Sequence, residues 1–349
     1  MLRMLICHLR EILLMKNSMN LFKIIFTKTF ALITGYKFII PDYSKGERVT
    51  IEIPGNLYSK RNDYTSYAHM LIEDFHNSIM PVLRINDNSK FEVRINPQNS
   101  EVEESIKEAI SSDGRSLNLN DAVCDFVREA TQQIFYYGSA SYEIIQDEDG
   151  MELVRINPWS VVKISDSFFQ IINRVIAKKI KIKPKVINLS GDKIFYVSMP
   201  KKLSSSKRLH RMLGRLVKIS DPILPKFALE SLELDEGIEF DQKQFWALRE
   251  IQILRMTKKL GWNGRGISSD KLLEYYNIYK LLQFHKAKAL IREAIFIELN
   301  RVFKNIYDID MVISGLPTSN RIDELISKMK NGNIAFADIV NEVLPQNNA

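Results

Sequence analysis

The stretch NDAVCDFVREATQQIFYYGSASYEIIQDEDGMELVRINPWSVVKI, residues 120–164, decides the predicted fold. Its first half repeats apolar residues at the spacing of one helix face: Val123, Phe126, Val127, Ala130 and Ile134. Gly138 stands where a left-handed residue ends a helix. Residues 139–146 and 151–156 read as two strands joined by the acidic turn 147–150. A helix leading directly into a β-hairpin is therefore predicted.

Outward from this stretch, helical and strand patterns alternate irregularly, which predicts an α+β fold. Further helices are predicted in residues 1–40, 64–83, 101–110, 201–218, 241–260, 268–304, 320–330 and 335–344. Further strands are predicted at residues 48–53, 91–95, 179–183 and 308–314. Segment 268–304 would span roughly 54 Å at 1.5 Å per residue, as one helix or as two joined by a kink.

Positive charge is concentrated in one part of the chain. The 349 residues carry a net charge of +7, yet residues 174–218 hold 14 lysines and arginines against one acid, Asp192. Within this basic stretch, Lys179, Lys181 and Lys183 alternate with two isoleucines, which predicts a strand with a lysine face. A charge this dense faces water, a polyanion or an acidic partner. Over 45 residues we favour a polyanion.

The motifs of common catalytic sites are absent from the sequence. It has no phosphate-binding loop, no dinucleotide fingerprint, no nucleophile elbow and no H-E-x-x-H zinc motif. Two cysteines, Cys7 and Cys124, form no disulfide framework and no cysteine-rich zinc site. We therefore expect a protein that is not an enzyme and that needs no cofactor, no metal and no small-molecule substrate.

Residues 120–164 resemble tailed-phage portal proteins. In that family an amphipathic helix leads to a glycine, a strand similar to G-x-A-Y-x-x-I, an acidic turn, a return strand and an Asn/Pro-Pro-x-x-Val element. Here the matching residues are GSASYEII from Gly138, the turn at 147–150, and NPWSVV from Asn157. A second similarity is KNGNI at 330–334 followed by the helical pattern 335–344, which resembles the closing segment of many portals.

The resemblance implies a structural protein that forms a ring of about twelve subunits at one capsid vertex. Double-stranded DNA passes through the ring, driven by a separate terminase, and the major capsid protein and a head-tail adaptor bind around it. The implied location is the virion, with assembly in the host cytoplasm. The implied regions are an N-terminal helical arm (1–45), an α+β wing or clip-like region (46–218), a long-helix stem or channel (219–310) and a small helical region (311–349).

Two sets of residues are candidates for interaction sites. The nucleic-acid-facing candidates are Lys179, Lys181, Lys183, Lys207, Arg208, Arg211, Arg215, Trp262, Arg265, Lys288 and Arg292. Cations on such a surface would bind phosphates without reading sequence. The inter-subunit candidates lie in the acidic segment 221–241 and are Glu233, Asp235 and Glu236. This segment would meet the basic stretch of a neighbour in a head-to-tail ring.

Other functions remain open from the sequence. The first alternative is a DNA-binding protein of replication or partition without sequence specificity, in which the basic stretch is the whole site. The second is a peripheral membrane protein that places residues 1–40 and the lysine-rich strand on anionic lipid. An enzyme of a type that no motif reveals is the last.

Overall fold

The computed structural model of the chain describes residues 34–54, 67–81, 91–111, 116–147, 150–165, 167–220, 242–265 and 274–343. Helices and strands are mixed along these residues, so the fold is α+β, as predicted. Contacts divide the chain into two compact units, residues 1–60 with 141–196 and residues 61–140 with 197–349. Each unit contains two separate segments of the chain, and the four regions expected from the sequence stay a prediction.

The helices and strands follow one another in a fixed order. They are β1 (Lys37–Ile39), α1 (Tyr67–Ser78), β2 (Glu92–Asn96), α2 (Ser100–Ile110), α3 (Leu119–Tyr137), β3 (Ser139–Gln146), β4 (Met151–Arg155), β5 (Val161–Ile164), β6 (Ser167–Ile172), α4 (Arg174–Lys179), β7 (Lys185–Leu189), β8 (Ile194–Ser198), α5 (Ser206–Ser220), α6 (Gln242–Met256), α7 (Glu274–Tyr307), β9 (Asp310–Ser314), α8 (Ser319–Lys330) and α9 (Phe336–Val343).

The first unit contains a four-stranded sheet in the order β1-β7-β6-β5. β1 is parallel to β7, and the other neighbours are antiparallel. β3 lies between β4 and β8 in a three-stranded sheet. The predicted hairpin is confirmed: β3 and β4 pair antiparallel, and the Asp147 amide donates to the Gly150 carbonyl at 3.1 Å. One core cluster of this unit consists of Ile156, Val161, Phe168, Ile187, Leu189 and Ile194.

The strand predicted at residues 48–53 is wrong, because side chains replace the partner strand there. The Glu143 carboxylate accepts from the Val49 and Thr50 amides at 2.8 and 3.0 Å. The Gln170 side chain accepts from the Ile51 amide at 2.8 Å and donates to its carbonyl at 2.7 Å. The segment is therefore tied to the fold without entering a β-ladder.

The second unit is mainly helical, with α3 packed against α1, α2 and α5. Asn118 caps the start of α3, because its side chain accepts from the Asp121 amide at 2.9 Å. Gly138 ends the helix with a φ of 87°, as predicted. β2 and β9 pair antiparallel, with Arg94 opposite Val312, and this confirms the two predicted strands.

The predicted long helix is one continuous helix of 34 residues, α7, within the described chain. Its first half shares a core with α8 and α9, both predicted, through a cluster that includes Ile278, Leu282, Leu325 and Ile339. α6 ends at Met256 rather than Leu260, and a turn leads on to Gly261. A β-carbon at Gly261 would lie 2.2 Å from the Phe284 amide nitrogen, so only glycine allows the turn to approach α7 this closely.

Candidate nucleic-acid interface

The first three lysine candidates lie on a helix end and a loop, not on a strand. Asn173 caps α4 by accepting from the Ile176 amide at 2.9 Å, and a helical turn forms where the alternating pattern predicted extension. Lys181 then adopts a φ of 58° in the turn that follows. The predicted separation of side chains nevertheless holds. Ile180 and Ile182 pack against a buried cluster, whereas Lys179, Lys181 and Lys183 are exposed.

The remaining part of the basic stretch forms α5, a helix with one apolar and one basic side. Leu209, Leu213 and Leu216 point inward and are at most 1% exposed. Five cations point outward and are all exposed: Lys207, Arg208, Arg211, Arg215 and Lys218. We call these five the α5 basic face. In the part of the chain that the structure describes, no acidic side chain pairs with any of them.

Two hydrogen bonds fix α5 against the end of α3. Ser206 Oγ donates to the Gly138 carbonyl at 3.0 Å, and a ring nitrogen of His210 lies 3.1 Å from the Tyr136 carbonyl. Gly138 again allows a close approach, since a β-carbon there would lie 2.6 Å from the Ser206 β-carbon. The α5 basic face therefore projects from a helix whose other side is anchored in the core of the second unit.

The structure corrects Trp262 as a nucleic-acid-facing candidate. The residue is 2% exposed, and its indole nitrogen donates to Asp74 Oδ2 at 2.7 Å. Its ring also meets Tyr67 edge-on, with centroids 6.4 Å apart. Trp262 thus anchors the loop after α6 onto α1, the connector alternative that the sequence also allowed, and it offers no free ring face to a base.

Arg265 belongs to the same anchor. Its Nε donates to Asp74 Oδ1 at 2.7 Å, and its Nη2 donates to Glu73 Oε2 at 3.2 Å. The hydrogen bond that Arg265 donates to Asp74 raises the pKa of Arg265 above its usual range. Two carboxylates thus compensate the guanidinium charge, but the side chain is 42% exposed, so its contact with a nucleic acid stays a prediction.

Lys288 and Arg292 are also corrected, because both are buried within the second unit, at 5% and 6% exposure. Lys288 Nζ donates to the Ser78 carbonyl at 3.1 Å. Arg292 donates to the Ile79 carbonyl at 3.0 Å and to the Pro317 carbonyl at 2.8 Å. Both side chains therefore donate hydrogen bonds to carbonyls at the end of α1 and in the loop before α8. Their burial keeps them from contact with a phosphate outside the unit.

The sequence contained a signal for this burial that the prediction missed. Lys288 and Arg292 continue, at helical spacing, the stripe formed by the buried residues Ile295 and Leu299. His285 lies on the same side of α7 and is also buried; burial lowers its pKa to about 3. Burial, followed by the charge of Lys258, likewise lowers the pKa of Lys280 to about 8.

The acidic side chains near these sites do not form a metal centre in the described residues. His69 Nε2 lies 2.9 Å from Glu73 Oε1, and Glu73 also pairs with Arg265. Asp308 and Asp310 each lie 3.2 Å from Lys304 Nζ. The three inter-subunit candidates, Glu233, Asp235 and Glu236, lie outside the described residues.

Comparisons with known proteins add no family assignment. No protein-family model matches the chain, and no curated protein matches it significantly. None of the helices in the described ranges combines the length and the apolar character needed to cross a bilayer. Function must therefore be inferred from the arrangement of the elements and from the surfaces they present.

Proposed function

We propose that the chain is a portal-type subunit that forms a ring around double-stranded DNA at a capsid vertex. The observation that carries the proposal is the order of elements from α3 to β5. An amphipathic helix ends at Gly138, a hairpin follows, and Asn157-Pro158 leads into the next strand. This is the order for which the sequence resembles portal proteins.

The Asn157-Pro158 element forms a fixed corner between the hairpin and β5. Asn157 Oδ1 accepts from the Trp159 amide at 3.1 Å, and Pro158 starts a short 3-10 helix that ends where β5 begins. The Asn157 side chain also donates to the Ile53 carbonyl at 3.4 Å. The corner thus binds the distant segment 48–53 and directs the chain into the four-stranded sheet.

The long helix α7 supports the same proposal. Its 34 residues correspond to roughly 51 Å at 1.5 Å per residue, which is far longer than an average globular helix. A conduit for a duplex needs rigid elements of this length along its wall. A terminase would supply the energy for DNA movement, and the capsid protein and a head-tail adaptor would bind the outer surfaces in the virion.

The mass of the purified particle tests the proposal directly. Light scattering combined with negative-stain images should show rings of about twelve subunits with a central hole. A monomer or dimer at every protein concentration, in the presence of duplex DNA as well as without it, contradicts the proposal.

A second function is favoured by one observation, the exposed α5 basic face. A DNA-binding protein of replication or partition would use this face as its whole site and would act as a monomer or dimer. The mass measurement separates the two functions, because only the portal proposal requires a closed ring. The membrane alternative relies on residues 1–40, of which the structure describes only 34–40, and on Lys179, Lys181 and Lys183, so it stays a prediction.

A further inference from the structure

We propose that the α5 basic face docks on the phosphate backbone of a nucleic-acid duplex. The inference rests on the DNA-related function proposed above and deepens it, because it assigns the contact with phosphates to one face of a single subunit, whatever the oligomeric state. It rests on the placement of five exposed cations on one side of one helix and on the absence of acidic partners for them among the described residues.

The geometry of the α5 basic face matches a polyphosphate. At about 100° per residue, Lys207, Arg208, Arg211, Arg215 and Lys218 fall within an arc of about 100° around the helix axis. From Lys207 to Lys218 the face is roughly 16 Å long at 1.5 Å per residue. A duplex carries one charge per about 1.7 Å, so about ten phosphates lie along the same length. One row of cations thus meets many phosphates at once.

The face is preorganised for binding. Leu209, Leu213 and Leu216 are held in the core, and the hydrogen bonds of Ser206 and His210 fix the first half of the helix to the end of α3. The backbone positions of the five cations are therefore set before any ligand arrives, so association does not have to order this part of the backbone.

The composition of α5 favours a duplex over other polyanions. Binding of single strands relies on aromatic side chains that stack on bases, and the helix contains no Phe, Tyr or Trp. Insertion into a lipid surface needs an exposed apolar side, whereas the apolar side of α5 is buried. The helix also lacks Asn and Gln, which read adenine, so we expect binding to phosphates with little dependence on sequence.

The salt dependence of duplex affinity tests this proposal. The test variant combines Lys207→Gln, Arg211→Gln and Arg215→Gln in the full chain. Each lost phosphate contact should reduce the slope of log affinity against log salt by about 0.9, so the slope should fall by about 3 in total. The affinity at low salt should fall by at least tenfold, with duplexes of different sequence affected equally.

A matched control removes the same charge from the first unit. Lys37→Gln, Lys45→Gln and Lys163→Gln replace three exposed cations of that unit that lie outside the basic stretch. This control should keep the wild-type slope, and thermal unfolding should show that both variants are folded. Equal slopes for the wild type and the α5 variant, or equal losses in both variants, would overturn the proposal.

Two further ligands separate the duplex from other anions. Vesicles containing anionic lipid and single-stranded oligonucleotides should bind more weakly than the duplex at the same salt. Stronger binding to either would overturn the assignment to a duplex. The ring proposal and the docking proposal can fail separately. If the protein is a monomer and the α5 variant shows the predicted change of slope, only the ring is refuted. If the protein forms rings and the α5 variant binds the duplex like the wild type, only the docking face is refuted.

Discussion

Lys288 and Arg292 show how cations are accommodated in the core of the second unit. The carbonyls at a helix C-terminus carry partial negative charge, and the end of α1 receives a donor from each side chain, at Ser78 and Ile79. Arg292 also donates to Pro317, so one guanidinium ties the end of α1 to the loop before α8. Their backbone partners explain how two buried cations can lie side by side on α7.

Burial of Lys288 makes stability depend on pH. Burial, followed by the charge of Arg292, lowers the pKa of Lys288 from 10.5 to about 7. Between these values the unfolded chain binds more protons than the folded chain, so the free energy of unfolding rises with pH from 7 to 10.5. Below pH 7 both states are protonated, and the cost of burying the charge is fully present.

Lys288→Met should therefore flatten this pH dependence. The methionine has no charge to bury, so the rise of a few kcal/mol that Lys288 contributes should disappear, each pKa unit being worth about 1.4 kcal/mol. Denaturant unfolding between roughly pH 6 and pH 10, the range of the Lys288 titration, measures how the free energy of unfolding changes with pH in each protein. Lys328→Met, at an exposed position of α8, is the control and should keep the wild-type curve. Parallel curves for all three proteins would contradict the prediction.

At the scale of an element, the junction between α3 and β3 depends on Gly138. Its φ of 87° is unfavourable for other residues, and an added β-carbon would lie 2.6 Å from the Ser206 β-carbon. Gly138→Ala should therefore lower the free energy of unfolding by about 1–3 kcal/mol through backbone strain and displacement of α5. Urea denaturation with an unchanged m value would measure the loss.

Gly214 supplies a matched control for that substitution. It lies inside α5, and a β-carbon there would meet nothing within 4 Å. Gly214→Ala should stabilise the protein by about 0.5–1 kcal/mol, since alanine is the better helix former. The two alanine variants should thus move in opposite directions. A stability loss at Gly214 similar to the loss at Gly138 would show that α5 tolerates no change and that the junction is not special.

The sequence predicted best the elements whose causes are local. α3, the hairpin and α5 follow from a helix-ending glycine, an acidic turn and apolar stripes, all within a few residues of the element. Segments 48–53 and 179–183 have the alternation of a strand but not its structure. The first is held by Glu143 and Gln170, about 90 to 120 residues away, and the second is overridden by the Asn173 cap.

The same distinction explains which site residues were predicted. The cations of α5 were identifiable, because the leucines that share their helix already show which side is buried. The hydrogen bonds that hold Trp262 and Arg265 in place are made to Asp74, about 190 residues earlier in the chain. No local pattern indicates such a partner. For Lys288 and Arg292 the sequence indicates burial but not the hydrogen-bond partners. Their helical register with Ile295 and Leu299 places them on the buried side of α7, whereas their partners lie on other elements.

At the scale of the whole molecule, the basic stretch is divided between two units. Residues 174–196 belong to the first unit, and the rest of the stretch, with the α5 basic face, belongs to the second. The net charge of +13 over residues 174–218 is therefore shared between the two units. The acidic segment 221–241 follows α5 directly and has seven acids against one lysine.

Charge reversal in the acidic segment tests how the proposed ring is held together. In a head-to-tail ring this segment would meet cations of the next subunit, so Glu233→Lys, Asp235→Lys and Glu236→Lys would place like charges at every interface at once. Because the interface repeats around the ring, a penalty of about 1 kcal/mol at each contact adds up over all subunits. The particle mass should fall from that of a ring to that of small oligomers, most clearly at low salt.

The control for this reversal must change the net charge equally without touching the segment. Glu52→Lys, Glu108→Lys and Glu152→Lys do so at three exposed positions. This control should still form rings, and added salt should partly restore rings in the test variant, since screening weakens repulsion between exposed charges. Intact rings in both variants at low salt would show that the acidic segment lies away from the interface. Loss of rings in both would indicate that net charge alone governs assembly, because the only property shared by the two variants is the change of +6 per subunit.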